Sequence, residues 1–301
     1  MKRRAGIAAT RALDRGLGGL VAGLLAAIRR CDRLWISNVA AAVTRTVGPW
    51  LPEQRIGRAN LAAAFPEKSA AEIEAILREV WDNLGRVAAE FAHIDRLCAG
   101  DPEHRTFIDY APGTAERFKA LRDDGKPALI FAAHTANWEL PAVIAAADRL
   151  DTLVLYRRPN LGSVADAVMA IREGHMGELV PTSMTAPLRL ADGLAKGRHV
   201  AMLVDQHYVK GVDVTFFGRP CKANPLIAML AREADCAIHG VRVIRLPGGR
   251  FRAELTEAVP PARDASGRID VAGTMQAITS VVEGWVREYP GQWLWLHRRW
   301  R

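Results

Sequence analysis

His134 and Glu139 are the residues of this chain best suited to proton-transfer chemistry. They lie five positions apart in the stretch His134-Thr-Ala-Asn137-Trp138-Glu139-Leu-Pro141. On one continuous helix that spacing is about 500°, roughly 140° off a shared face. The two could not meet there. They can meet if His134 precedes a helix and the intervening loop folds it back over the first turn. A carboxylate in that turn is held ionised by the helix dipole. It can then accept from one imidazole nitrogen, fix the tautomer and leave the other nitrogen free as a base. Other charged groups follow predicted strand ends. Arg157 and Arg158 are suited to holding phosphate through charge-assisted bonds. Asp205 and Gln206 either shape the site or contact substrate directly.

Such residues need a scaffold. The turn signal Asp123-Asp124-Gly125-Lys126-Pro127 is followed by an apolar run, Ala128 to Ala133. A short apolar run between turn residues reads as a buried parallel strand. His134 is thus expected at its carboxyl end, where open α/β sheets place their sites. Asn137 or Thr135 can cap a helix running to about Ala147, with Pro141 tolerated in the first turn, and Asn137 is also a candidate for contacting substrate. Strand and helix patterns then alternate from residue 106 to a long helix at Val271–Glu288, predicting an α/β fold with a mixed central sheet flanked by helices. Residues 51–105 read as a helical lead-in. There Ser69 and Glu72 form a capping box before Ile73, Ile76, Leu77, Val80 and Leu84. Arg78, Arg86 and Glu90 are expected on the solvated face. Cys221 and Met229 read as packing residues.

The chain has 301 residues and a net charge of +8. Residues 1–45 hold nine Lys and Arg against two Asp, so nearly all the excess charge is there. A basic end on a nearly neutral body suits an anionic membrane surface or nucleic acid. No aromatic RNA-binding motif is present, which argues against nucleic acid. The uncharged run Gly16 to Ile28 would span about 20 Å as a helix, against a hydrocarbon core of about 30 Å. Residues 1–50 therefore read as a helical, membrane-associated segment or as an ordinary helical pair packed on the domain formed by residues 51–301. Cys31, Cys98, Cys221 and Cys236 lack the spacing of a zinc site or a disulfide framework and suggest a reducing compartment. No signal peptide is evident. The terminal Trp293-Leu-Trp295-Leu-His297-Arg298-Arg299 suits a membrane interface, or an element packed beneath the site.

Several stretches taken in order resemble one family. They are Arg58-Ala-Asn60 through Phe65-Pro66-Glu67, Trp81-Asp-Asn83-Leu84-Gly85-Arg86, His134-x4-Glu139, Asp205-Gln206 with Phe216-Phe217-Gly218, and the Trp293–Arg299 run. The set resembles the bacterial lipid A secondary (lauroyl/myristoyl) acyltransferases of the glycerolipid acyltransferase superfamily, over about Arg55 to Arg301. The resemblance implies transfer of a fatty acyl group from acyl carrier protein to a hydroxyl of a lipid A precursor. It implies no metal or organic cofactor, and a place at the cytoplasmic face of the cell inner membrane. Arg172 matches the family's Arg segment after the second strand.

The residue chemistry fits that implication. A hydroxyl attacks a thioester poorly unless a base removes its proton. His134 is expected to be that base and Glu139 its orienter. No activated Ser or Cys is in view, so direct transfer without a covalent enzyme intermediate is simplest. Backbone N–H groups at the helix start, or Arg172, are candidates for the oxyanion. Two other readings stay open: transfer to another glycolipid or a lysophospholipid, and a membrane-binding protein without catalysis. The intact His134/Glu139 pair argues against the last.

Overall fold

The computed structural model describes residues 16, 18–98, 105–158 and 162–300. Nine strands among these form two sheets. The main sheet contains β1 (Ile108–Tyr110), β2 (Ala128–Ala132), β3 (Thr152–Tyr156), β4 (Glu178–Pro181), β5 (His199–Leu203), β8 (Ala237–Leu246) and β9 (Arg250–Ala258), in the order β1-β9-β8-β2-β5-β3-β4. All its pairs are parallel except β8–β9. The mixed α/β sheet is therefore as the alternation of elements predicts. The sequence reading does not resolve the separate hairpin of β6 (Val212–Phe216) and β7 (Arg219–Ala223). Its turn residues Phe217 and Gly218 both have positive φ, 54° and 68°. Gly adopts this freely and Phe does not. Burial offsets the strain, with the Phe217 ring 5.1 Å from Phe65 and 5.8 Å from Trp295.

Alternate side chains of β2 feed two apolar cores, as a strand buried on both faces requires. Leu129 and Phe131 join one core, and Ala128, Ile130 and Ala132 join the other. The second core lies under α6 (Thr114–Asp123) and α7 (Leu140–Ala147). The first lies under α10 (Leu226–Ala234) and α11 (Val271–Glu288) and takes in the C-terminal tryptophans. Trp293 and Trp295 are almost wholly buried, so the tail is an element packed beneath the site. Met229, expected to pack, is instead about half exposed on α10.

The helical lead-in packs on this body. Residues 18–30 are helical (α1), followed by α2 (Arg33–Val47), α3 (Pro52–Ala64), α4 (Ala70–Phe91) and the single turn α5 (Ile94–Leu97). The capping box at Ser69 and Glu72 opens α4, and Ile73, Ile76, Leu77 and Val80 form its buried face. α2 lies directly on α4. A Cβ on Gly85 would fall 2.3 Å from Thr44 Oγ1 and 2.5 Å from the Ala40 carbonyl oxygen, so only glycine permits this crossing. Thr44 Oγ1 donates to the Trp81 carbonyl at 2.6 Å, and Arg45 pairs with Asp82. On α3, Asn60 donates to the carbonyls of Trp295 and His297, tying the lead-in to the tail.

Two expectations are corrected here. The expected place in the cell inner membrane is corrected as to an integral one: among the described residues, no helix is long and apolar enough to cross a membrane. Residues 1–15 of the basic end lie outside the described residues. Glu90, expected on the solvated face of α4, is only 1% exposed and meets Arg245 of β8. The other helices are α8 (Gly162–Glu173), which carries Arg172, and α9 (Ala186–Ala195).

Candidate active site

The sheet register brings the site together. In the parallel β2–β5 pair, Ala132 stands opposite Leu203. Two residues further on each chain are His134 and Asp205, which the register leaves side by side. The backbone continues the ladder, with Val204 N–H donating to the Ala132 carbonyl at 3.0 Å. His134 Nδ1 then lies 2.7 Å from Asp205 Oδ1, and the His134 backbone N–H donates to Asp205 Oδ2 at 2.9 Å. Trp293 Nε1–H donates to the same Oδ2 at 2.8 Å.

Asp205 is therefore the partner that fixes the imidazole. Its buried carboxylate accepts from Nδ1–H, leaving Nε2 as the basic nitrogen. Burial opposes its charge, but the adjoining His134 and its hydrogen bonds outweigh this and hold its carboxyl well below the usual range. Burial likewise opposes charge on His134. Asp205, with Glu139 adding to its field, outweighs it and raises the imidazole above its ordinary value. His297 stands nearby, its ring centre 6.4 Å from that of His134, and burial keeps it preferentially neutral.

Glu139 has a different contact from the one its spacing suggested. Its carboxylate is gripped by Arg172, with Nε–Oε2 at 3.0 Å and Nη2 on Oε1. This is a two-pronged pair of the kind that matches guanidinium to carboxylate. It spans from the start of α7 to the end of α8, and Arg172 also lies over the Phe91 ring at 5.7 Å. The expected direct His134–Glu139 bond is corrected to His134–Asp205. Glu139 acts on the imidazole through its field and on Arg172 through contact. It starts α7 without a side-chain cap, and Asn137 Oδ1 accepts from its backbone N–H at 3.3 Å.

These groups border a cavity of about 590 Å³. His134, Glu139, Arg172, Arg157, Arg158 and Gln206 all line it. Ile130 and Ala132 precede His134 on the same strand face, so the imidazole emerges at the end of an apolar wall. That wall includes Ala145, Val154, Met176 and Ala201. Arg157 and Arg158 are exposed at its polar side. Gln206 brings its amide nitrogen within 3.4 Å of His134 Nε2, where an N–H can donate to the bare nitrogen. Asn137 and Asp205, expected to contact substrate, are not among the cavity's lining residues. They are 0% and 3% exposed, and each is committed to the protein's own hydrogen bonds.

Spacing alone could not select Asp205 over Glu139. Asp205 follows a strand end, but which strand ends adjoin depends on sheet order, and β5 comes to lie beside β2 only after the chain has passed through β3 and β4. Trp293 escapes a reading of spacing too, since it lies 88 positions from the Asp205 that it holds. Among the described residues no group of three or more His, Cys, Asp or Glu is placed to hold a metal ion.

Comparison with curated proteins gives no match. Comparison with protein families matches residues 7–301 to the bacterial lipid A biosynthesis acyltransferases. The match spans nearly the whole chain, including the His134 strand end, the Asp205 strand end and the buried tail: this chain belongs to the bacterial lipid A biosynthesis acyltransferase family and is an acyltransferase.

Proposed function

We propose that the protein moves a fatty acyl chain from acyl carrier protein to a hydroxyl of a lipid A precursor, with His134 as the general base. The supporting observation is the juxtaposition of a basic imidazole nitrogen, an apolar wall and a cationic rim around one cavity. The apolar wall suits the acyl chain, and Arg157 and Arg158 suit acceptor phosphates. His134 Nε2 takes the hydroxyl proton as the oxygen attacks the thioester carbonyl carbon, and a C–O bond forms. The tetrahedral intermediate carries its negative charge on the former carbonyl oxygen. Arg172 is the nearby cation, held in place by Glu139. Collapse breaks the C–S bond, and the imidazolium returns its proton to the departing thiolate. Asp205 stabilises the imidazolium throughout and holds the tautomer.

The test is mass spectrometry of a lipid A precursor incubated with purified enzyme and acyl carrier protein loaded with fatty acid. The expected product gains one ester-linked acyl chain. Acylation of a lysophospholipid or another glycolipid in its place would overturn the acceptor assignment, and transfer from other thioesters but not from the carrier protein would overturn the donor.

A further inference from the structure

Behind the His134 loop lies a buried ion pair that the chemistry above does not use. Glu90 of α4 is 1% exposed, and both its oxygens meet the guanidinium of Arg245 on β8, one of them at 3.0 Å. The pair is not isolated. Asn137 Nδ2 donates to Glu90 Oε2 at 2.9 Å, and Arg245 Nε donates to Asn83 Oδ1 at 2.9 Å. Asn83 Nδ2 in turn donates to the Ala136 carbonyl at 3.0 Å. On the opposite side, Ala136 N–H donates to the Gln292 carbonyl at 2.7 Å. The Gln292 side chain exchanges two hydrogen bonds with the Arg245 backbone. Arg245 is thus tied to the loop by two routes, its side chain through Glu90 and Asn83 and its main chain through Gln292.

The loop needs such a grip. Ala136 has φ 44°, a left-handed conformation that a residue with a Cβ adopts at a cost, and it persists only where surroundings over-determine it. Ala136 is two residues from His134, and Leu294 N–H caps the His134 carbonyl at 3.1 Å. Releasing this turn would change the direction in which the His134 backbone enters the site. An ion pair placed only for stability would be replaceable by apolar packing. The remaining hydrogen bonds of this one lead to the loop that carries the base, directly at Asn137 and through Asn83 at Ala136.

We infer that Glu90, Arg245 and Asn137 are positioning residues that hold His134 against Asp205 and aim Nε2 into the cavity. The inference rests on the reading of His134 as the base. The groups facing the imidazole are Asp205 after β5, Glu139 at the start of α7, Gln206, and His297 in the tail. None is a member of the clamp; Asn137 also accepts from the Glu139 backbone N–H, so Glu90→Gln is the variant that leaves all of the base's own partners untouched.

The test compares Asn137→Ala, Glu90→Gln and the double variant in the full-length enzyme. The readouts are kcat, donor KM and an NMR titration of the His134 ring. Asn137→Ala leaves the Glu90–Arg245 pair intact, so it carries the test even if Glu90→Gln does not fold. Misaiming a base by about an ångström lowers turnover by about 10- to 100-fold. Each folded single variant is expected to lose kcat in that range, with donor KM little changed and the imidazole titrating lower than in wild type. The double variant should be no slower than the slower single, because both act through one tie. A folded Asn137→Ala with wild-type kcat and an unchanged titration would overturn the clamp, as would losses that multiply. His134→Ala runs alongside. If it retains turnover, the base assignment fails, while the ring titration in the other variants still reports whether the clamp orients the imidazole.

Discussion

At the residue scale, the site depends on which acid His134 meets. The chain offers two, and they divide the work: Asp205 takes Nδ1 and Glu139 takes Arg172. Asp205→Asn should therefore lower kcat by about 10²–10⁴-fold, since the amide no longer enforces the productive tautomer. A steady-state assay with matched folded protein checks this. The pH profile carries a second signature. As the proposed base, His134 must be unprotonated to act, and its raised value puts the acid limb of kcat/KM above the ordinary imidazole value of about 6.5. Losing the Asp205 charge should move that limb down in pH even as the rate falls.

The same shifts act on folding. The lowered Asp205 carboxyl contributes stability above its unfolded value of about 3.9, lost as pH falls through the folded value. The raised His134 contributes stability below about 6.5, lost as pH rises through its folded value. Glu139→Gln should act differently. It leaves Arg172 without its counter-charge, so melting should report a loss of about 1–3 kcal/mol, the scale of a hydrogen bond to a charged group in a part-buried pair. Turnover should fall because Arg172 loses its placement. An effect confined to donor KM would point to a binding role for Glu139.

At the element scale, His134 was legible because everything that places it is local: a turn signal, an apolar run and a strand end. Asp205 was legible as a strand-end acid but not as the partner, because pairing needs the order β2-β5-β3. Glu90 was misread because its polar type on α4 suggested solvent, while its cation lies 155 positions away. The hairpin was missed because its turn uses Phe217-Gly218 where Asn-Gly or Asp-Gly would announce one. Gly85 shows a motif glycine whose reason lies in another helix. Gly85→Val should force α2 off α4 or strain both, costing about 1–3 kcal/mol as overpacking does. Chemical denaturation checks it, and an unchanged midpoint would mean the helices accommodate the side chain.

At the scale of the whole molecule, the sheet separates two tasks. One core buries the tail and lead-in, and the other opens into the cavity beside His134. The balance of alanines along that apolar wall keeps it wide. Ala145→Leu should narrow it, discriminating against longer acyl donors by about 10-fold or more while sparing shorter ones, in line with what a few methylenes are worth in a hydrophobic pocket. Competition between carrier proteins bearing different chains measures this, and an unchanged preference would place the acyl chain elsewhere.

The most direct measurement is the acyl-transfer rate of His134→Ala, with circular dichroism and melting confirming the wild-type fold. As the general base is worth about 10²–10⁴-fold, transfer from acyl carrier protein to the lipid A precursor should fall by that factor at every pH tested. A folded variant that transfers acyl chains at near wild-type rate would contradict the account.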